Sequence, residues 1–243
     1  MISDPRFHGA VNRLRKLRQV FFVMSSKGGV GKTTISVLLS LASSSMQGLT
    51  GLLDLDFVNP STHVLLGLDI NNIEYKEENG VVPAHIDNIL YFTIAYYTRG
   101  LPTPLHGKAL RNILWEVLSI VNWDGVSLLF VDTPPGISDE HLEVLYKLRG
   151  VITPVIVTTP SKLSLNSAKN LASLLRESGF ARVYLVENMS NCYLKDFARS
   201  IEVQYAGCVP YIPFFEELTG DVNKLRSLVN TVKPVLNTLL EES

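Results

Sequence analysis

Two lysines stand in the glycine-rich segment SSKGGVGKTT, residues 25–34. Glycines there allow backbone N–H groups to turn inward around phosphate oxygens. Lys32 can place a positive charge on the β- and γ-phosphates of a nucleotide, and the Thr33 hydroxyl can bind Mg²⁺. Thr34 can reach the α-phosphate. We therefore predict a nucleotide-binding phosphate loop made by Lys27, Gly28, Gly29, Val30, Gly31, Lys32, Thr33 and Thr34.

The loop departs at one position from the usual pattern GxxxxGK[ST], because Ser26 stands where the pattern has glycine. The other glycines and the GKT triplet fit. An apolar strand pattern precedes the loop and a helical pattern follows it, which is the context that the motif requires. A glycine-rich turn without a ligand is the alternative interpretation.

Carboxylates end two further apolar segments. Asp132 ends VSLLFVD, where an acid can hold a water on Mg²⁺ opposite Thr33, although a helix-capping aspartate is the alternative. Asp54 and Asp56 end GLLDLD, and the alternation of side chains along a strand would place both carboxylates on the same face of the sheet. We expect Asp54 to support the metal shell and Asp56 to orient an attacking water, with a polar strand end as the alternative. Gly136 could offer its N–H to the γ-phosphate.

The segments around these residues alternate between strand and helix patterns, and strands that are apolar on both faces indicate a sheet covered on two sides. This predicts an α/β fold with a mostly parallel, doubly wound sheet and helices on both faces. Ligands bind such sheets at the carboxyl ends of the strands, where these motifs fall. The predicted strands span residues 18–24, 51–56, 88–97, 126–132, 151–159 and 181–189, and the predicted helices span 33–46, 109–121, 167–179 and 221–243, the last interrupted or kinked at Pro234.

Length and composition fit one domain over residues 1–243, with an N-terminal extension at 1–17. Hydrophobic residues make up 46% of the chain, enough for a sizeable core, and the net charge of −1 gives no general attraction to nucleic acid or anionic membranes. No apolar run approaches the roughly 18 residues of a membrane span, and the N-terminus lacks the apolar core of a secretory signal. We expect a cytoplasmic protein without an integral membrane segment.

Lys27 resembles the signature lysine of the deviant Walker A class of P-loop ATPases, which includes MinD, ParA, the nitrogenase iron protein and the Mrp family of iron–sulfur cluster carriers. Within this class, VDTPPGISDEH (131–141) and VENMSN (186–191) are similar to segments of the Mrp family, as is LLDLDFVNPSTHVLLG (52–67). The resemblance covers roughly residues 18–220. It implies a slow, partner-stimulated, Mg²⁺-dependent ATPase that works as a dimeric switch.

The resemblance also assigns roles to individual residues. It implies that Lys27 crosses the interface of an ATP-bound homodimer and touches the phosphates of the partner chain, as an arginine finger supplied in trans does. Asn188 is expected to read the adenine edge, with a turn-forming asparagine as the alternative, and the backbone near Pro210 is expected to contact the base. The partner or cargo of such a dimer is not identified by the sequence.

The cysteines separate this chain from Mrp-type carriers, which have a CxxC motif after the ENMS segment. The only cysteines here are Cys192 and Cys208, and no CxxC exists. One cysteine per chain near the expected place gives two thiolates per dimer, whereas a typical cluster takes four cysteine ligands. We therefore do not expect a stable Fe–S cluster. We also predict no disulfide framework, and we expect Cys208 near the base-binding loop rather than beside Cys192.

Two other functions stay open. A basic run of Arg13, Arg15, Lys16 and Arg18 could bind DNA or acidic lipid, as in a ParA- or MinD-type positioning ATPase, although a solvated helix face is the simpler interpretation. A nucleotide-gated interaction protein with negligible turnover is the third alternative.

Overall fold

A computed structural model describes residues 4–101 and 106–241 of the chain. The strands are β1 (Gln19–Met24), β2 (Thr50–Asp54), β3 (Lys76–Glu77), β4 (Val81–Val82), β5 (Ala84–Ile86), β6 (Ile89–Thr93), β7 (Leu128–Asp132), β8 (Thr153–Thr158), β9 (Tyr184–Asn188) and β10 (Gln204–Val209). The helices are α1 (Pro5–Leu14), α2 (Lys32–Met46), α3 (Thr62–Leu66), α4 (Ala95–Thr98), α5 (Gly107–Ile120), α6 (Asp139–Leu148), α7 (Lys162–Glu177), α8 (Lys195–Ser200), α9 (Val222–Arg226) and α10 (Val229–Glu241).

Eight strands form one sheet in the order β10-β9-β8-β1-β7-β2-β6-β5. The neighbouring pairs are parallel, except for the antiparallel pair of β5 and β6 at one edge. The loops that follow β1, β2, β7 and β9 therefore open at the same, carboxyl edge of the sheet. The predicted fold class, a mostly parallel α/β sheet, is confirmed.

Alternate residues of the central strand pack against helices on opposite faces, as the period of two in a strand requires. Phe21 and Val23 lie in a core that includes α2 and α10, whereas Phe22 and Met24 lie in a second core with α1, α5 and α6. The ring of Phe21 stacks on that of Phe130 in β7, with centroids 5.3 Å apart. Burial on both faces explains why these strands are continuously apolar.

The described part of the N-terminal extension is a packed helix. Asp4 caps α1 by accepting the backbone N–H of Arg6 at 3.0 Å. The ring of Phe7 then packs edge-on against Trp115 of α5, with centroids 5.5 Å apart. An aromatic contact of this kind joins α1 to the helical layer on one face of the sheet.

One predicted strand and one predicted helix differ clearly from the structure in their bounds. The predicted strand 88–97 is too long, because the Thr93 side chain accepts the N–H of Ala95 at 3.2 Å and helix α4 begins there. Helix α7 begins earlier than predicted, because Ser161 caps it by accepting the N–H of Ser164. Sequence patterns also did not predict strands β5 and β10 or helix α6.

The C-terminal tail forms two helices, and the break between them is not at Pro234. It lies at residues 227–228, where Leu228 donates its N–H to Leu225 and Thr231 donates to Leu228. These bonds span three residues instead of four, so the α-helical hydrogen-bond pattern is interrupted before α10 begins. Helix α10 then continues through Pro234.

Candidate nucleotide site

The phosphate loop connects β1 to α2 at the carboxyl edge of the sheet. Gly29 and Gly31 have φ angles of 78° and 82°, which side chains rarely adopt. A Cβ added at Gly28 or Gly29 would meet no atom within 4 Å, so open space lies in front of this backbone. A glycine-lined concavity of this shape fits a phosphate chain. The cavity has a volume of about 270 Å³ and is lined by the loop together with Asp56, Asn59, Ser61 and Pro135.

The buried carboxylate of Asp132 ties the phosphate loop to the end of β7. It accepts hydrogen bonds from Lys32 Nζ at 2.7 Å and from Thr33 Oγ1 at 2.9 Å. Ser36, one turn further along α2, donates to it at 2.8 Å, a contact that the sequence analysis missed. The structure thus brings together the predicted phosphate lysine and two of the predicted metal residues. A hydroxyl beside a carboxylate is a donor set that suits Mg²⁺.

Asp54 ends β2 and is fully buried. Its carboxylate accepts from the side chain of Thr62 at 2.6 Å and from the backbone N–H of Asp56 at 3.0 Å. Burial, together with the nearby charge of Asp132, raises the pKa of Asp54 to about 7. Asp54 therefore anchors the segment between β2 and α3, a role that the sequence analysis did not give it.

Asp56 is the carboxylate that faces the phosphate loop. Strand β2 ends at Asp54, so the predicted strand over 51–56 is too long and strand alternation does not orient Asp56. Its Oδ1 accepts the backbone N–H groups of Val58 at 3.1 Å and Asn59 at 2.9 Å. This tight turn holds one carboxylate oxygen in place at the wall of the cavity.

The segment after β7 closes over the phosphate loop. The backbone N–H of Gly136, predicted to meet a γ-phosphate, donates here to the carbonyl of Ser25 at 2.9 Å. Pro135 lines the cavity directly. At the start of α6, His141 Nδ1 pairs with Ser138 Oγ at 2.9 Å, and burial lowers the pKa of His141. The bond between Gly136 and Ser25 thus attaches the segment to the phosphate loop through backbone atoms, whereas the His141–Ser138 pair lies within the segment itself.

A second cavity, of about 290 Å³, adjoins the phosphate loop at Thr34. Asn188 and Pro210, the two residues expected to contact adenine, both line it. The buried Asn188 side chain donates from Nδ2 to the carbonyl of Val30 at 2.8 Å, which joins the end of β9 to the phosphate loop. The exposed ring of Phe214 also lines this cavity, and sequence patterns gave no sign of it. The structure therefore brings together the two residues that were predicted to contact the adenine base.

Lys27 lies at the exposed rim of the phosphate cavity. Within the described part of the chain, its ammonium group forms no salt bridge or hydrogen bond, in contrast to that of Lys32. The neighbouring Ser26, unexplained by sequence, donates its hydroxyl to the carbonyl of Ser167 in α7 at 2.9 Å. The two lysines of the loop thus face different environments, one inside the chain and one at its surface.

The structure corrects the expectation for the cysteines. Cys192 and Cys208 are joined in a disulfide, with their Cα atoms 5.2 Å apart. Cys208 is near the base cavity, as expected, but it is also beside Cys192, because the loop after β9 folds back over the end of β10. Among the residues that the structure describes, there is no group of three or more His, Cys, Asp or Glu side chains placed to hold a metal ion.

The basic run packs partly against the protein itself. Arg13 donates to the carbonyls of Ser119 and Asn79, and Lys16 forms an exposed ion pair with Asp124 at 3.9 Å. Arg15 is exposed. Binding of DNA or acidic lipid to this run stays a prediction. None of the described helices has the length and apolar character needed to cross a membrane.

Replacing Gly31 with alanine should destabilise the chain, because φ is 82° there and the new Cβ would overlap the amide of Asn188. We expect a loss of about 2–4 kcal/mol in the free energy of unfolding, measured by urea denaturation without nucleotide. Gly28→Ala is the matched control, since its Cβ would enter open space, and it should stay within about 0.5 kcal/mol of wild type. Equal unfolding midpoints for the two variants would contradict the prediction.

Comparisons with known proteins agree with this geometry. A family model described as "ParA: NUBPL iron-transfer P-loop NTPase" matches residues 16–208. The cytosolic Fe-S cluster assembly factor Nubp2 homolog of Drosophila pseudoobscura pseudoobscura is 32% identical, over 85% of this chain and 88% of the relative. Its counterpart in Anopheles gambiae is 31% identical with the same coverage.

Solved structures resemble the fold. A nucleotide-binding protein from Archaeoglobus fulgidus in complex with ADP superposes with a TM-score of 0.72 and 24% identity, covering 90% of this chain and 92% of that protein. The cell division ATPase MinD of Pyrococcus furiosus superposes with a TM-score of 0.67 and 16% identity, covering 93% of this chain and 100% of that protein. At these identities the likeness shows a shared fold.

Proposed function

Because the chain belongs to the NUBPL iron-transfer family of P-loop NTPases, we propose that it is a Mg²⁺-dependent ATPase that switches between nucleotide states as a homodimer in iron–sulfur cluster assembly. The family membership confirms the predicted resemblance to Mrp-type P-loop ATPases of the MinD/ParA class. As a P-loop NTPase, the chain binds and hydrolyses a nucleotide. ATP as that nucleotide, the roles of the residues and the dimer are parts of the proposal.

The cluster of Lys32, Thr33 and Asp132 supports the proposal most directly. Lys32 lies buried between the phosphate cavity and Asp132, and its ammonium is 2.7 Å from that carboxylate. Bound phosphates give Lys32 a second anionic partner within the same loop, so the charge of Asp132 is then available for a metal ion. Mg²⁺ would neutralise charge on the phosphates. Thr33 would hold it directly, and Asp132 and Asp54 would do so through water.

The base end of the site favours adenine. Thr34 lies where the phosphate cavity meets the base cavity, so one ligand can occupy both. The Asn188 amide can accept from the exocyclic amine of adenine through its oxygen while its nitrogen stays bonded to Val30. The backbone near Pro210 forms part of the same cavity lining and could contact the base. These contacts would orient the base without a buried charge.

We propose that hydrolysis depends on Asp56 and on the Lys27 of the second chain. Asp56 lies at the cavity wall, where its carboxylate can orient a water for attack on the γ-phosphate. Lys27 is exposed and lines the rim of the phosphate cavity, whereas Lys32 is buried against Asp132. A facing protomer could therefore receive this ammonium at the phosphates of its own nucleotide.

The cytosol and the iron–sulfur pathway are proposed from the names of the insect relatives. The chain has no CxxC motif, so we propose that a protein partner, rather than this chain, holds the cluster. Anaerobic reconstitution with iron and sulfide, read by visible absorbance, tests this. A stable cluster with four cysteine ligands per dimer would contradict the proposal.

Replacing Asp56 with asparagine should preserve ATP binding and reduce hydrolysis by about 100-fold or more. Asparagine keeps an oxygen that can accept the N–H groups of Val58 and Asn59, so the turn should survive while the charge that orients water is lost. Binding is measured by calorimetry and turnover by phosphate release. Unchanged turnover would remove Asp56 from the mechanism, whereas lost binding would show that it acts on affinity instead.

A further inference from the structure

The disulfide joins the two chain segments that frame the base cavity. Cys192 lies in the loop that follows Asn188, and Cys208 is at the end of β10, two residues before Pro210. Cys208 pairs in register with Glu187 of β9. The bond therefore links the chain shortly after Asn188 to the chain shortly before Pro210, two residues that line the cavity in which we place adenine.

The site is reachable from solvent. Cys192 is exposed and Cys208 is partly buried. Their Cα separation of 5.2 Å lies in the range that disulfides ordinarily span. An exposed sulfur next to a resolving cysteine can exchange with a dissolved thiol or disulfide.

Glu187 holds the same two segments together independently of the sulfurs. Its carboxylate accepts the N–H of Leu194 at 2.8 Å from the loop, and the hydroxyl of Tyr205 at 2.6 Å from β10. Burial raises the pKa of Glu187, but its hydrogen bonds with Ser190, Tyr205 and the loop backbone outweigh burial and hold that pKa below the ordinary value. Because the ionised carboxylate of Glu187 and its hydrogen bonds remain when the disulfide is reduced, reduction should loosen the cavity wall without unfolding the sheet.

We propose that Cys192 and Cys208 form a reversible thiol–disulfide exchange site, whose partners are low-molecular-weight thiols and disulfides of the glutathione type, and that its oxidation tightens the base cavity for nucleotide. The inference rests on the proposed ATP binding. It also fits the proposed compartment, since disulfides of cytosolic proteins are usually transient or redox-sensing.

A small disulfide oxidises the cysteine pair in two thiol–disulfide exchange steps. The Cys192 thiolate attacks one sulfur of the small disulfide, forming a mixed disulfide and releasing one small thiol. The Cys208 thiolate then attacks the Cys192 sulfur and releases the second small thiol. Two electrons pass to the small disulfide, and the two protons lost by the cysteines are taken up by the two released thiolates.

The oxidised form should bind ATP more tightly because its loop is already ordered. Binding to the reduced form must immobilise the stretch around Cys192, between the residues Ser190 and Tyr193 that Glu187 holds, and this ordering costs free energy. We expect about a three- to tenfold lower Kd for ATP in the oxidised form. Inorganic tripolyphosphate, which lacks the base, should show a smaller change.

The test equilibrates the whole chain with glutathione and glutathione disulfide at a series of ratios. Free thiols are counted by alkylation and mass spectrometry, and the Kd values of ATP and tripolyphosphate are measured by calorimetry at each ratio. The matched variant combines Cys192→Ser with Cys208→Ser, which keeps small polar side chains but allows neither the internal bond nor a mixed disulfide with glutathione. Its ATP affinity should equal that of reduced wild type at every ratio, and wild-type affinity should follow the loss of two thiols.

Three outcomes would overturn the inference while leaving the proposed function intact. These are equal ATP affinities in both redox states, weaker binding by the oxidised form, and retention of both thiols throughout the glutathione series. Failure of the proposed function has a different signature, since ATP would then bind in neither state while the thiol count still changed with the glutathione ratio.

Discussion

Replacing Lys32 with alanine is expected to abolish ATP retention and to destabilise the protein by about 3–5 kcal/mol. The first effect follows from the loss of the positive charge inside the phosphate loop. The second follows from Asp132, whose fully buried carboxylate loses the ammonium that lies 2.7 Å away. Thr33 and Ser36 still donate to it, but neither carries a charge that balances it.

A double variant separates the two effects. Lys32→Met keeps most of the side-chain volume, and Asp132→Asn removes the charge that Lys32 leaves unpaired. The double variant should therefore recover most of the stability lost in Lys32→Met alone, as measured by urea denaturation, because neutral groups then replace both ions. ATP binding, measured by calorimetry, should stay absent. Restored stability together with restored binding would show that the lysine acts only as a structural counter-ion.

The ion pair of Lys32 and Asp132 illustrates which parts of the site could be predicted from the sequence. The phosphate loop was predictable because its glycines, lysine and threonine are consecutive, and local geometry alone decides where they point. Asp132 was predictable because a single acid ends a strand of apolar residues. Its contact with Ser36 was not, since a serine on a helix face carries no signal until the neighbouring strand is known.

Features that depend on distant segments escaped the sequence analysis. Strand β10 was missed because its sequence, QYAGCV, is broken by Gly207 and a register shift, so it lacks regular alternation. The cysteine pair was missed because β10 was missed. Only the placement of β10 beside β9 brings Cys208 to Cys192. Strand alternation could not place Asp56, because β2 ends two residues before it.

Replacing Lys27 with alanine should leave stability within about 0.5 kcal/mol of wild type, because the side chain is exposed. ATP binding to the monomer should also persist, since Lys32 remains in the loop. We expect ATP-driven dimerisation to weaken and hydrolysis to fall about 1000-fold, the loss typical of a charge supplied in trans at a transferring phosphoryl group. Analytical ultracentrifugation with ATP and phosphate release measure these effects, and normal hydrolysis by the variant would refute the role.

Mixing two inactive variants decides whether Lys27 acts on its own nucleotide or on that of the partner. One variant is Lys27→Ala and the other is Asp56→Asn. In a mixed dimer, the first chain keeps its own Asp56 and receives an intact Lys27 from the second, so one complete site forms if Lys27 acts across the interface. With random association of equal amounts, about a quarter of wild-type activity should return. If Lys27 serves its own chain, both sites in the mixed dimer stay defective, and mixing restores nothing.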